Sequence, residues 1–128
     1  MLVLDNKILV RRFLDTLNWN WTEAVNEYVA DEALVTTITM MQSAFPNFQI
    51  TADDLIAEST KVTVRATLRG VHRGDFKGIP PTHKAIVIPF MAICQVAGGK
   101  IVGHEVMVDR MALLQQLDQS TEVETADP

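Results

Sequence analysis

The chain has 128 residues, 48% of them hydrophobic, a length and composition that suit one globular domain with its own core and exclude a disordered segment. Sixteen acidic residues against eleven basic ones leave a net charge of −5, which argues against a polyanionic partner, because phosphate backbones are held by clustered lysine and arginine. The single cysteine, Cys94, excludes an internal disulfide and fits a reducing compartment.

The opening MLVLDNKILVRR carries an acid early and no small-residue cleavage site after a long apolar run, so no secretory leader is expected. No apolar run reaches the roughly 18 residues that span a bilayer. The expectation is a cytoplasmic protein with neither a nucleic-acid nor a membrane partner. The richest basic patch, Arg65, Arg69, His72, Arg73 and Lys77, reads as a solvated strand face.

Asp5 or Asn6 can cap a first helix whose apolar positions Leu9, Val10, Phe13, Leu14 and Leu17 follow a 3.6 period. The segment Asn18-Trp19-Asn20-Trp21 interrupts it, and Thr22 can cap a second helix with Ala24, Val25, Tyr28 and Val29 on its buried stripe. Trp19 and Trp21 are candidates for a lid over a pocket, or for the filling between two helices, a duty suited to rings that bury so much area. Asp31 with Glu32 suits a third helix N-terminus, Leu34, Ile38, Met41 and Phe45 repeat on one face, and Pro46 ends it near Phe45. The β-branched run from Val35 to Thr39 weakens that reading and leaves a strand as the alternative.

After Asn47 the pattern changes to strands. The spacing predicts strands over 48–57, 61–70, 85–96 and 100–108, joined by a turn at Glu58-Ser59-Thr60, by the connection HRGDFKGIPPTHK and by a Gly98-Gly99 turn. The second strand alternates cleanly, with Val62, Val64, Ala66 and Leu68 opposite Thr63, Arg65, Thr67 and Arg69. The third is apolar on both faces, so one face needs a partner, and a homodimer through the outer face of the sheet is expected. Pro89 marks a bend or bulge there. On the fourth, Val102, His104, Val106 and Val108 share one face by the period of two, and His104 is that face's ionisable group. Asp109 begins a short helix with Met111, Leu113, Leu114 and Leu117, and residues 118–128 read as a flexible acidic tail after a single domain over 1–117.

Helices first and hairpin-linked strands afterwards make an α+β pattern. The sheet is expected to curve around the N-terminal helices as a cone with an apolar interior, followed by the short C-terminal helix.

Over 70–84 and 98–117 the sequence resembles the SnoaL-like polyketide cyclase family. The family text "GxHxGxFxGIPPTG" is met by Gly70, His72, Gly74, Phe76, Gly78, Ile79, Pro80, Pro81 and Thr82. A second text, "DGKIxEHWxxxDxxGLLxQLG", is met by Gly99, Lys100, Ile101, Val102, His104, Asp109, Leu113, Leu114, Gln116 and Leu117. VRRFLDTLN near the N-terminus and AFPNF at 44–48 also fit. The resemblance implies a cystatin-like, nuclear-transport-factor-like cone and an oligomer. For characterised cyclases it implies a cofactor-free intramolecular aldol closure of an aromatic polyketide ester. Two departures stand out. The positions of the family's histidine and aspartate acid/base pair fall on Ala92 and Val106, and the segment 31–45 is shorter than the family's.

His104 is the candidate proton carrier, since an imidazole titrates near neutral pH; the plainer reading is a rim histidine held by a hydrogen bond. Asp109 can orient His104 or bind ligand, although an Asp between a strand and a helix is more often an N-cap. Trp19, Met40, Met41, Phe90, Ala92, Cys94, Val106 and Val108 are the candidate substrate wall. Cys94 as a nucleophile would need a basic neighbour, and His104 on the adjacent strand is the one available. His72 and His83 read as loop and turn residues. No metal set is expected, because the three histidines lack ligand spacing and His104 and Glu105 point to opposite faces. Neither a phosphate loop nor a dinucleotide fingerprint occurs, and no cofactor is expected. Two functions follow: a cofactor-free cyclase or isomerase acting on a small, mostly apolar carbonyl compound through His104, or a non-catalytic small-molecule-binding or oligomerising module of the same fold.

Overall fold

The structure, a computed structural model, describes residues 3–117. The segment 118–128, expected to be a loose acidic tail, lies outside the described residues. Three helices, α1 (Val3–Trp19), α2 (Trp21–Tyr28) and α3 (Glu32–Ala44), precede strands β1 (Gln49–Glu58), β2 (Lys61–Val71), β3 (Ala85–Ala97) and β4 (Lys100–Val108), and α4 (Arg110–Leu117) follows. The strands form one antiparallel sheet in the order β1-β2-β3-β4. This is the expected α+β arrangement, a curved sheet with helices against its inner face. No helix among the described residues is long and apolar enough to cross a membrane.

Local chemistry sets the helix ends, though not always through the residues the sequence suggests. Asn6 lies inside α1, buried, where its Nδ2 donates to the Ser59 carbonyl at 3.0 Å, so it ties the helix to the β1–β2 turn rather than capping it. Asn20, not Thr22, caps α2: its Oδ1 accepts from Glu23 N–H at 3.1 Å and from the Thr22 hydroxyl at 2.9 Å. α3 is a helix despite its β-branched run. Asp31 caps it by accepting from Ala33 and Leu34 N–H at 3.0 and 3.3 Å, and Thr39 satisfies its hydroxyl on the Val35 carbonyl at 2.8 Å. Phe45 ends it one residue before Pro46, as expected. On α4 only Leu113 and Leu117 of the predicted apolar set are buried; Met111 and Leu114 face out because a two-turn helix presents only a narrow stripe to the sheet.

The sheet's inner face is Val62, Val64, Ala66 and Leu68 on β2 with Ile86, Ile88, Cys94 and Val96 on β3, packed against Val10, Phe13, Leu14 and Leu17 of α1 and Leu34 and Ile38 of α3. Pro89 pairs with Thr67 without any shift of register, so no bulge arises there. The N–H and carbonyl of Val87 face α4, where both bond Gln116. Pro89, two residues on, therefore turns its nitrogen to the same side. Pairing with β4 begins only at Phe90, so the missing donor costs nothing. The bulge lies instead on β4. Gln95 pairs with Gly103 and Val96 with Ile101, which leaves Val102 as the extra residue. Ile101 is consequently fully buried and Val102 is 43% exposed, the reverse of a strict alternation through that point.

The 72–84 connection is closed by His72. Its buried ring accepts from Thr82 N–H at Nδ1 (3.1 Å), and the Thr82 hydroxyl is 3.0 Å from the same nitrogen. Gly74 lies against the end of α3, where an added Cβ would come within 2.1 Å of the Ser43 carbonyl oxygen. His83 is exposed with φ 59°, in the irregular stretch before β3 rather than in a turn.

Candidate active site

Between α3 and the inner face of the sheet lies a cavity of about 370 Å³, within the size range of small-molecule sites. Its wall is aliphatic and aromatic. Met40 and Met41 contribute from α3, Phe90, Ala92 and Cys94 from β3, and His104, Val106 and Val108 from β4. Eight of the ten side chains singled out from sequence therefore share one hollow. Trp19 does not belong to it; at the C-terminal end of α1, 71% exposed, it points to solvent, and its neighbour Trp21 is the one packed against the core. Asp109 is not part of the wall either. Its Oδ1 accepts from Ala112 N–H at 2.9 Å, the N-cap of α4.

His104 has a partner that local sequence does not reveal. Its Nδ1 is 2.6 Å from Oδ2 of Asp31, 73 positions earlier, with the two side chains 15% and 12% exposed. The backbone brings them together: Val29 bridges Ile101 in parallel, and Ala30 N–H donates to the Ile101 carbonyl at 2.8 Å, so α3 starts beside β4. Burial alone would raise the Asp31 carboxyl. The hydrogen bond from His104, the two backbone N–H donors and the charge of His104 outweigh it and hold the carboxyl below the usual range. Asp31 is thus ionised near neutral pH, and Nδ1 carries the proton it donates. In the neutral ring Nε2 keeps its lone pair, and among the described residues it has no hydrogen-bond partner. This is the arrangement in which an imidazole, held in one tautomer by a carboxylate, can accept a proton and be stabilised once charged.

Cys94 pairs with His104 across the β3–β4 ladder, yet it is poorly suited to act as a nucleophile. Burial, reinforced by the negative charge of Asp31, pushes its thiol up to about 11, so it remains protonated at neutral pH. Ala92 and Val106 pair directly with each other on the wall, and neither can carry a proton. Sequence reasoning also missed Thr37, Phe76, Lys77 and Arg110 as parts of the lining. Among the described residues no three His, Cys, Asp or Glu side chains gather as a metal set.

The SnoaL-like polyketide cyclase family matches residues 7–117. AclR from Streptomyces galilaeus superposes with a TM-score of 0.79 at 20% identity, over 98% of this chain and 92% of that one. TsrD from Streptomyces laurentii gives 0.77 at 23% identity, over 91% and 97%. A SnoaL-like polyketide cyclase from Agrobacterium tumefaciens gives 0.74 at 16%, over 92% and 100%. At these identities the likeness is one of fold. No curated protein matches the chain in sequence.

Proposed function

The chain belongs to the SnoaL-like polyketide cyclase family, and from that premise we propose that it binds a small, largely apolar carbonyl compound in the cavity and moves a proton beside the carbonyl with His104. The observation that carries this reading is the 2.6 Å His104–Asp31 hydrogen bond at the edge of an apolar wall. Nε2 takes a proton from the carbon next to the carbonyl, Asp31 stabilises the imidazolium, and the resulting enolate is either reprotonated elsewhere or attacks a second carbonyl of the same molecule. The imidazolium then returns its proton to carbon or to the new alkoxide, so the ring ends neutral and no cofactor enters. Chemistry of this kind suits a cytoplasmic protein in which Cys94 stays reduced.

A second reading, a binder without chemistry, is favoured by Ala92 and Val106 at the family's acid/base positions. Exchange of α-protons of an aryl ketone into D₂O, followed by NMR, separates the two. The wild type should accelerate exchange, and His104→Gln should lose about 10²–10⁴-fold of that rate with the fold and the ketone affinity retained. Equal exchange rates for the two proteins would leave the binder.

The outer face supports association of two copies. Val87, Met91, Ile93 and Met107 are exposed there, and Met91 and Met107 are paired neighbours.

A further inference from the structure

We propose that the ligand carries a carboxylate and that Lys77 and Arg110 bind it at the mouth of the cavity. This rests on the reading of the cavity as a binding site and adds the substrate's charge to it. Besides His104, the ionisable side chains of the wall other than the Cys94 thiol are these two, and both are cations on a chain of net charge −5. They come from different parts of the fold. Lys77 lies in the connection before β3 and Arg110 opens α4 directly after β4, so both belong to the end of the sheet where β3 starts and β4 finishes. His104 lies farther along β4; from it to Val108 is roughly 13 Å of strand. The carboxylate would therefore sit apart from the base, and apart from the like charge of Asp31 behind the base.

Neither cation has a local structural duty. Among the described residues neither makes an ion pair or a hydrogen bond, and Lys77 has only the Phe76 ring, 5.7 Å from its Nζ. Arg110 stands in the first turn of α4, where the helix dipole disfavours a positive charge. Lys77 has φ 48°, a left-handed conformation that lysine seldom adopts. Two of the nearby backbone donors are already used: Asp109 takes Ala112 N–H, and Asp75 takes Gly78 N–H at 3.1 Å. A singly charged carboxylate held by two side chains fits the donors that remain.

The test compares 2-naphthylacetate with its methyl ester by titration calorimetry at neutral pH. The wild type should bind the carboxylate about tenfold more tightly, and Lys77→Ala and Arg110→Ala should each remove about threefold of that preference without changing ester affinity. Arg110→Lys should keep most of it, and added salt should weaken the carboxylate alone. Equal affinity for acid and ester, with ester binding abolished by Ala92→Trp, overturns the proposal and leaves the cavity as the binding site. Alanine variants that weaken both ligands alike also overturn it. If neither ligand binds, the binding-site reading falls and this proposal falls with it.

Discussion

Ala92 and Val106 face each other across the β3–β4 ladder, and the next inward-facing pair along it is Cys94 and His104. Two apolar side chains stand where the sequence resemblance puts the family's proton carriers, while a histidine one inward pair away is gripped by an aspartate from another element.

Restoring the family's pair should add chemistry. Ala92→His with Val106→Asp should keep the fold, because Val106 is 49% exposed and an ionised carboxylate there stays hydrated. The double variant should gain an intramolecular aldol activity of about 10²-fold over the parent on a tethered diketone, read by product chromatography. A folded double variant with no gain would show that Asp31 and His104 dictate where substrate lies.

Acid stability should report on Asp31. Its carboxyl is held below 3.8 in the folded chain, so the stabilisation it gives is present above that value and is lost as pH falls through the depressed folded value. Asp31→Asn should flatten the fall in melting temperature below about pH 4 while lowering stability near neutrality by about 1 kcal/mol, through loss of the negative charge at the start of α3 and beside His104. Parallel acid limbs in the two proteins would exclude this role.

The β4 bulge makes adjacent residues unequal. Ile101→Ala, at a fully buried position, should cost about 2–5 kcal/mol in denaturant unfolding. Val102→Ala, at the residue left over by the register shift, should cost under about 0.5 kcal/mol. A regular strand would give comparable or inverted costs.

Charge placed on the outer face should prevent association. Met91→Glu with Met107→Glu puts two like charges on paired residues, and sedimentation velocity should shift from dimer to monomer with the helical content unchanged. A parent that sediments as a monomer would remove the expected interface.

The sequence was readable where one rule governed a stretch. The alternation from Val62 to Leu68 placed β2, the glycine pair at Gly98 and Gly99 placed the last hairpin, and the closing parity put His104, Val106 and Val108 on the wall. It failed where a contact distant in sequence decided the outcome. Asn6 has the residue type of a cap but bonds Ser59, and the Asp31–His104 pair depends on a parallel bridge between Val29 and Ile101. Val102 failed for another reason: a bulge inserts one residue into the count, and nothing in an alternating run of letters marks the insertion.

The carboxylate of Asp31 serves two masters, since Oδ1 fastens the start of α3 and Oδ2 fastens the imidazole. The helix start and the proposed proton carrier are therefore welded at one side chain. A variant library selected for heat tolerance would retain this aspartate whether or not turnover mattered, and a library selected for turnover would carry the helix along with it.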